Sequence, residues 1–437
     1  MGKAIRKLVW VAVLALIFPA AGRAEGVTSV KVVDQITGQA VEGATVVLDG
    51  KPLAADDHGF FPISKGGGRL GVKAPGYSRV EQALADPLPE GTIEVQLTPF
   101  TPKALYLSFY GVGSKALRTP ALKLIEETEL NALVIDVKGD RGMIPFRCSL
   151  PLACEVGAQR IITVRDIDEL LKFFKDKGIY LIARIVVFKD DLLATARPDL
   201  AVKTPAGELW RDREHLAWVD PFHKEIWEYN IRIAEEAAKL GFDEIQFDYV
   251  RFPDSRSPQF SQPSTEEGRV KAITGFLQQA KARLAPYNVF LSADIFGYVC
   301  WNLNDTDIGQ KLDPIASAVD YLAPMLYPSG FQFGIPGYRN PVQAPHEIVY
   351  LTLKKAQERT RISPLRFRPW LQAFKDYAFD RRQFNAKEVR DQIDASEKFG
   401  SQGWMLWNPV NQYMAAAEAL KKDIRTASVD AAVASNP

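Results

Sequence analysis

From Ala104 onward, short and almost unbroken apolar runs alternate with longer stretches whose apolar positions recur at helical spacing. The runs are ALYLSFY (104–110), ALVIDVKG (132–139), IYLIARIVVF (179–188), EIQFDYVRF (244–252), VFLSADIFG (289–297), YLAPMLYP (321–328), RPWLQAF (368–374) and GWMLWN (403–408). Near-continuous apolarity is what a strand covered on both faces requires. Helix start signals lie between them at Thr119-Pro120, Asp220-Pro221 and the Ser264/Glu267 capping box, and Gly241 and Gly400 read as C-terminal stops. The weakest helical stretch is DPIASAVD, which offers barely two turns. Eight β/α repeats in about 310 residues predict a (β/α)₈ barrel over residues 103–412. A doubly wound sheet is disfavoured, because GVGS after the first run does not fit its Gly-rich first turn.

Residues 26–98 are patterned differently. Short alternating runs (Val30, Val32; Ala44, Val46, Leu48) are split by TG, DG and GGG, which predicts a small all-β sandwich. The segment resembles the carboxypeptidase regulatory-like, transthyretin-type domain in its TGQAVEGATV opening, its turn at Asp57–Phe60 and its close at Ala74–Tyr77. No cluster of catalytic residue types occurs there, so a spacer or docking module is expected. Leu97 to Lys103 reads as the linker. After Gln412 a short helix and an Ala/Ser-rich tail (413–437) are expected.

Composition adds three constraints. Lys3, Arg6 and Lys7 precede an apolar run from Leu8 to Phe18 and small residues before Glu25, so residues 1–24 read as a signal peptide and the protein as exported, periplasmic or secreted. Only an uncleaved leader would tie it to a membrane. The net charge of +1 gives no footprint for nucleic acid. Cys148 and Cys154 are close enough in sequence to close a short disulfide, with Cys300 left over. The four His residues are scattered and there is no H-E-x-x-H or G-x-S-x-G motif, so neither a metal, a cofactor nor a serine nucleophile is expected.

Barrel chemistry sits at the C-terminal ends of strands. The polar and aromatic residues at those ends are Asp136, Lys138, Arg184, Asp248, Tyr249, Arg251, Asp294, Tyr327, Trp370, Gln372 and Trp407, with Trp301 just beyond. Asp248 interrupts an apolar strand, where an ionised carboxylate is costly unless paired; Arg184 or Arg251 is the candidate partner. Asp294 on the next strand completes a carboxylate pair of the kind glycoside hydrolysis uses. Asp136 is a candidate third member or sugar-hydroxyl ligand. Lys138 and Arg184 are expected to orient or neutralise the carboxylates, and Trp301, Tyr327, Trp370 and Trp407 are candidate platforms for sugar rings.

The stretches LYLSFYGVGS, NALVIDVKGDRGMIPF, GFDEIQFDYVRFP and GWMLWNP resemble an uncharacterised family of bacterial glycoside-hydrolase-like barrels distantly related to the α-amylase type. The resemblance implies a catalytic carboxylate at the position of Asp248. It implies a Glu on the fifth strand, where this chain has Asp294, one methylene shorter. The expected partner is a polysaccharide or oligosaccharide, either cleaved at the Asp248/Asp294 pair or bound without cleavage by a hydrolase-like scaffold.

Overall fold

All eight apolar runs form strands of one closed parallel barrel, in chain order. The computed structural model describes residues 28–421 apart from Lys65 and Arg256, so the leader and the end of the tail lie outside the described residues. Seven strands precede the barrel: β1 (Thr28–Asp34), β2 (Thr45–Leu48), β3 (Lys51–Pro52), β4 (Phe61–Ile63), β5 (Arg69–Lys73), β6 (Val80–Ala83) and β7 (Thr92–Leu97). They make two sheets, β4-β1-β7 and β3-β2-β5-β6. Val30, Val46, Leu70, Val72 and Leu97 from both sheets meet in one apolar cluster.

The barrel strands are β8 (Lys103–Leu107), β9 (Ala132–Lys138), β10 (Tyr180–Val186), β11 (Glu244–Asp248), β12 (Phe290–Phe296), β13 (Tyr321–Met325), β14 (Trp370–Gln372) and β15 (Trp404–Trp407). β15 pairs with β8 to close the ring. Alternation sends Leu105, Leu133, Leu181, Phe247, Leu291 and Leu406 outward against the helices. Ala104, Val134, Ile182, Phe290, Ala323 and Met405 point inward and fill the interior.

Local chemistry moves several element boundaries. The first strand stops at Leu107 because Ser108 caps a short helix, Phe109–Gly113, by accepting the amide of Gly111. The fourth barrel strand ends at Asp248, because Tyr249 takes a left-handed φ of 47°. Thr119-Pro120 does not open a helix: Pro120 lies inside Lys115–Glu127. Ala116, whose carbonyl loses its partner there, is exposed to water. Thr265 rather than Ser264 caps Glu266–Leu284, and Lys224–Leu240 starts a turn after Asp220. Asn385/Glu388 forms a capping box, and Gly241 and Gly400 end their helices in left-handed conformations. The two-turn helix is Leu312–Ala318, and a 3₁₀ helix at Met414–Leu420 follows the last strand. Cys148 and Cys154 are free thiols that share the side-chain amide of Gln159 as donor, at 3.1 and 3.5 Å.

The all-β region covers the N-terminal face of the barrel, opposite the mouth. Lys73 Nζ reaches Asp320 Oδ2 (2.7 Å) at the foot of β13, and the Gly76 amide donates to Tyr321 Oη (3.3 Å). Asn288, before β12, donates to the Val80 carbonyl (3.0 Å). Burial would raise the Asp320 pKa, but the Lys73 and Lys281 charges outweigh it and leave it lowered. That pair therefore stabilises at pH above the ordinary carboxylate value, and its contribution fades as pH falls through the lowered one. Lys73→Met leaves Asp320 buried beside a more distant Lys281, and should cost roughly 3 kcal/mol at pH 7. Urea unfolding of the variant at pH 7 and at pH 3 tests this; an equal loss at both would show that packing, not charge, is at work.

Candidate active site

Arg184 on β10 points into the upper barrel and is 1% exposed. Its Nη1 donates to Asp136 Oδ1 (2.7 Å), and its Nη2 to Asp140 Oδ1 (3.0 Å). Nε and Nη2 both donate to Asp248 Oδ2 (2.9 and 2.6 Å). One guanidinium thus holds carboxylates from β9, the turn after it, and β11. Its face lies 4.9 Å from the ring centre of Trp407 and 5.5 Å from that of Tyr106, and those two rings stack at 4.0 Å. The partner of Asp248 is therefore Arg184, not Arg251.

The backbone builds this cluster at two irregular points. Asp136 pairs with Arg184, but the next β10 residue, Ile185, pairs with Lys138, so β9 carries one extra residue there. The bulge turns Lys138 out of the barrel. It is fully buried between barrel and helix, bonded to Asp190 (2.7 Å) and 5.3 Å from the Tyr229 ring centre. The expectation that Lys138 neutralises the site carboxylates is thus corrected: strict alternation does not survive a bulge. At Tyr249 the left-handed φ brings its amide onto Asp248 Oδ1 (2.5 Å).

Asp294, on β12, is 1% exposed and accepts the indole N–H of Trp370 at Oδ1 (2.8 Å). Among the described residues no hydrogen bond reaches its Oδ2. Burial first, and the Asp248 charge second, hold the Asp294 carboxyl well above its ordinary pKa, despite the opposing Arg184 and Trp370. Asp136 is pushed up to about 6 by burial and by Asp140, against the pull of Arg184 and Tyr106. Its Oδ2 accepts from Tyr106 Oη (2.7 Å) and the Phe109 amide (3.1 Å). Three carboxylates on one cation, with a fourth beside them, cannot all stay ionised at low cost.

A cavity of about 130 Å³ opens above this layer, lined by Arg184, Asp248, Asp294, Tyr327, Trp370 and Trp407, with Tyr249, Arg251, Phe296 and Met325 completing the wall. It is smaller than the ~300–1,000 Å³ of whole ligand clefts. Two expected residues are elsewhere. The Trp301 indole bonds Thr352 Oγ1 (3.0 Å) and packs against the helix Pro345–Thr360. Gln372 is fully buried and fixes the loop after β13 through the Ser329 amide (3.0 Å) and hydroxyl (2.7 Å). Trp370 does line the cavity, but it is 1% exposed, gives its N–H to Asp294 and stands perpendicular to the rings of Tyr106 and Trp407, so it is no open platform. Sequence reasoning missed Tyr106, Asp140, Phe296 and Met325. A sequence signal existed for Asp140, in the charged KGDRG just beyond the second run; Tyr106 and Met325 read as ordinary core. Among the described residues, no group of His, Cys, Asp and Glu could hold a metal ion.

The cluster sets two expectations for stability. Arg184→Met leaves buried carboxylates without their cation and should cost about 3–5 kcal/mol in urea unfolding; a loss under about 1 kcal/mol would mean the carboxylates are already neutral. Asp294 has a raised folded pKa, so the folded state holds a proton that the unfolded chain releases, and its contribution is lost as pH rises. Asp294→Asn removes that dependence while keeping an acceptor for Trp370. The variant should match the wild-type thermal midpoint near pH 4 and exceed it at pH 7; a lower midpoint at pH 7 would contradict a protonated Asp294.

A family described as "Putative glycosyl hydrolase domain" matches residues 104–413. Among solved structures, a hypothetical protein from Ruminiclostridium thermocellum is 41% identical over 44% of this chain and 96% of its own, with a TM-score of 0.39. The glycoside hydrolase domain of PgaB (BpsB) from Bordetella bronchiseptica is 14% identical over 74% of this chain and 100% of its own, at a TM-score of 0.53. A β-galactosidase from the psychrophilic Marinomonas ef1 is 11% identical over 76% and 61%, at 0.54. At such identities these last two share the fold. No curated protein matches the chain. The match spans the whole barrel, from the first barrel strand to the turn after the last, and on that ground this chain belongs to the glycosyl hydrolase domain family.

Proposed function

We infer that this protein hydrolyses a glycosidic bond of a polysaccharide or oligosaccharide outside the cytoplasm, with Asp294 as the acid and Asp248 as its partner. The observation that carries the reading is a buried carboxyl at the C-terminal mouth of the barrel, bonded to the Trp370 indole and set beside the Arg184-bound Asp248, with its pKa raised by burial and then by Asp248. Asp294 gives its proton to the glycosidic oxygen, which leaves as an alcohol while the C–O bond breaks. Asp248, bonded to Arg184, meets the developing positive charge, as nucleophile or as the base that takes a proton from water. The hydroxyl of Tyr327, whose pKa is raised by burial and then by Asp294 and Asp248, remains a neutral hydrogen-bonding group beside them.

The leader-like residues 1–24 support export. The all-β region, with its resemblance to regulatory-like sandwiches, sits on the face away from the mouth and is read as a spacer. A second reading, glycan binding without cleavage, draws on how little of Asp294 is exposed and on the engagement of both Asp248 oxygens.

Residues 25–437 incubated with bacterial and plant polysaccharides should release new reducing ends, detected by mass spectrometry. Asp294→Asn and Asp248→Asn should each lose about 10²–10⁴-fold of that activity. A loss below about tenfold in either would remove that residue from the chemistry. Saturable binding by all three proteins without products would establish the second reading.

A further inference from the structure

The carboxylate cavity has a neighbour. A groove of about 460 Å³ adjoins it and shares Tyr249 and Arg251 as a common wall. Its far side is an excursion after β10, braced by the antiparallel bridges Lys203–Leu209 and Arg211–Ala217. Trp210, Trp218 and Tyr249 run edge to face from this groove toward the cavity, with ring centres 6.4 and 5.6 Å apart.

Most cations lining the two spaces are already engaged. Lys189 is bound to Glu214 (2.8 Å) and Asp212 (3.3 Å), Arg211 to Asp191 (2.7 Å), and Arg184 to its three carboxylates. Arg251 differs. Its guanidinium lies 5.0, 5.1 and 5.2 Å from the ring centres of Trp218, Tyr249 and Phe296, and Nη1 donates to the Phe252 carbonyl (3.0 Å). Among the described residues no carboxylate reaches it; Asp248, Asp254 and Asp212 act on it only through their fields. The three rings flank the guanidinium and, among the described residues, only Nη1 donates, so its other N–H groups are available to a planar acceptor pair. Exposed Arg213 adds positive charge to the same groove.

We propose that Arg251 is the specificity residue of this cleft and binds the carboxylate of an acidic sugar unit, lodged in the groove next to the unit held at Asp248 and Asp294. The substrate class is then a uronate-bearing or otherwise carboxylated glycan. This rests on the hydrolase reading for the role of the cavity, but the carboxylate contact itself needs no cleavage.

The test measures binding and turnover separately. Calorimetry on the full chain would compare short oligosaccharides of galacturonate, of mannuronate and of hyaluronan with their carboxyl-reduced counterparts. At least one acidic series should bind about 10–100-fold tighter than its reduced form, and Arg251→Gln should collapse that ratio to within about twofold. The wild-type comparison needs no variant, so a folding defect in Arg251→Gln would not blunt it. Equal affinity for acidic and reduced forms, an unchanged ratio in Arg251→Gln, or no binding of any acidic series would each overturn the proposal. Acid-dependent binding without release of reducing ends would leave it standing and remove the hydrolase reading. Cleavage of neutral glycans with no acid preference would do the reverse.

Discussion

The upper half of this barrel depends on one side chain, the guanidinium of Arg184. It ties β9, the turn after β9, and β11 together through three carboxylates, and it is gripped by two stacked rings. Arg184 and Asp136 are almost wholly buried there, and the arrangement holds because the cation spreads its charge over several N–H groups with fixed directions. Asp136 and Asp248 are kept in place by that fork, and the cavity floor inherits its shape from them. Remove the fork and the mouth would have to take in water or protons.

The imbalance of charge is what makes the place a candidate for chemistry. Arg184 touches three acids and a fourth stands nearby, while Arg251 is a second cation on the cavity wall, so acids outnumber cations. Geometry makes the acids unequal. Asp248 receives two N–H groups of Arg184 and a backbone amide, all of which favour its anion. Asp294 receives one indole N–H and the unfavourable field of Asp248. The pKa of Asp294 is accordingly raised, and two chemically identical side chains are made unequal by their environment.

Much of this was legible in the sequence, and the failures have physical causes. Periodicity found all eight barrel strands because both faces of each are covered, which leaves a strong apolar signature. Strand ends located Asp136, Arg184, Asp248 and Asp294, because charge in an apolar run is conspicuous. Lys138 was misplaced because a bulge breaks alternation and no residue in ALVIDVKG announces it. Trp301 and Gln372 were misplaced because a polar or aromatic residue at a strand end can as well brace a loop. Tyr106 went unseen because a Tyr in an apolar run looks like core until its hydroxyl is found on Asp136. The left-handed Tyr249 had no sequence signal, since that conformation usually falls to glycine or asparagine.

The two ends of the barrel interior show why charge alone does not mark a site. Near the floor, Arg368 is bonded to Glu244, while Tyr180 also donates to Glu244 (3.1 Å) and Tyr321 lies flat against the guanidinium at 4.1 Å. One cation meets one anion there, a Tyr hydroxyl satisfies the anion further, and the all-β region shuts the face from below. Such a pair is balanced in charge and lies away from the cavity at the mouth. At the mouth the same residue types stand in unequal number beside a cavity; a carboxyl oxygen without a partner is found at both ends, Glu244 Oε1 below and Asp294 Oδ2 above. Burial is common to both ends. What separates a structural ion pair from a catalytic candidate in this fold is the unequal count of acids and cations and the open space above it.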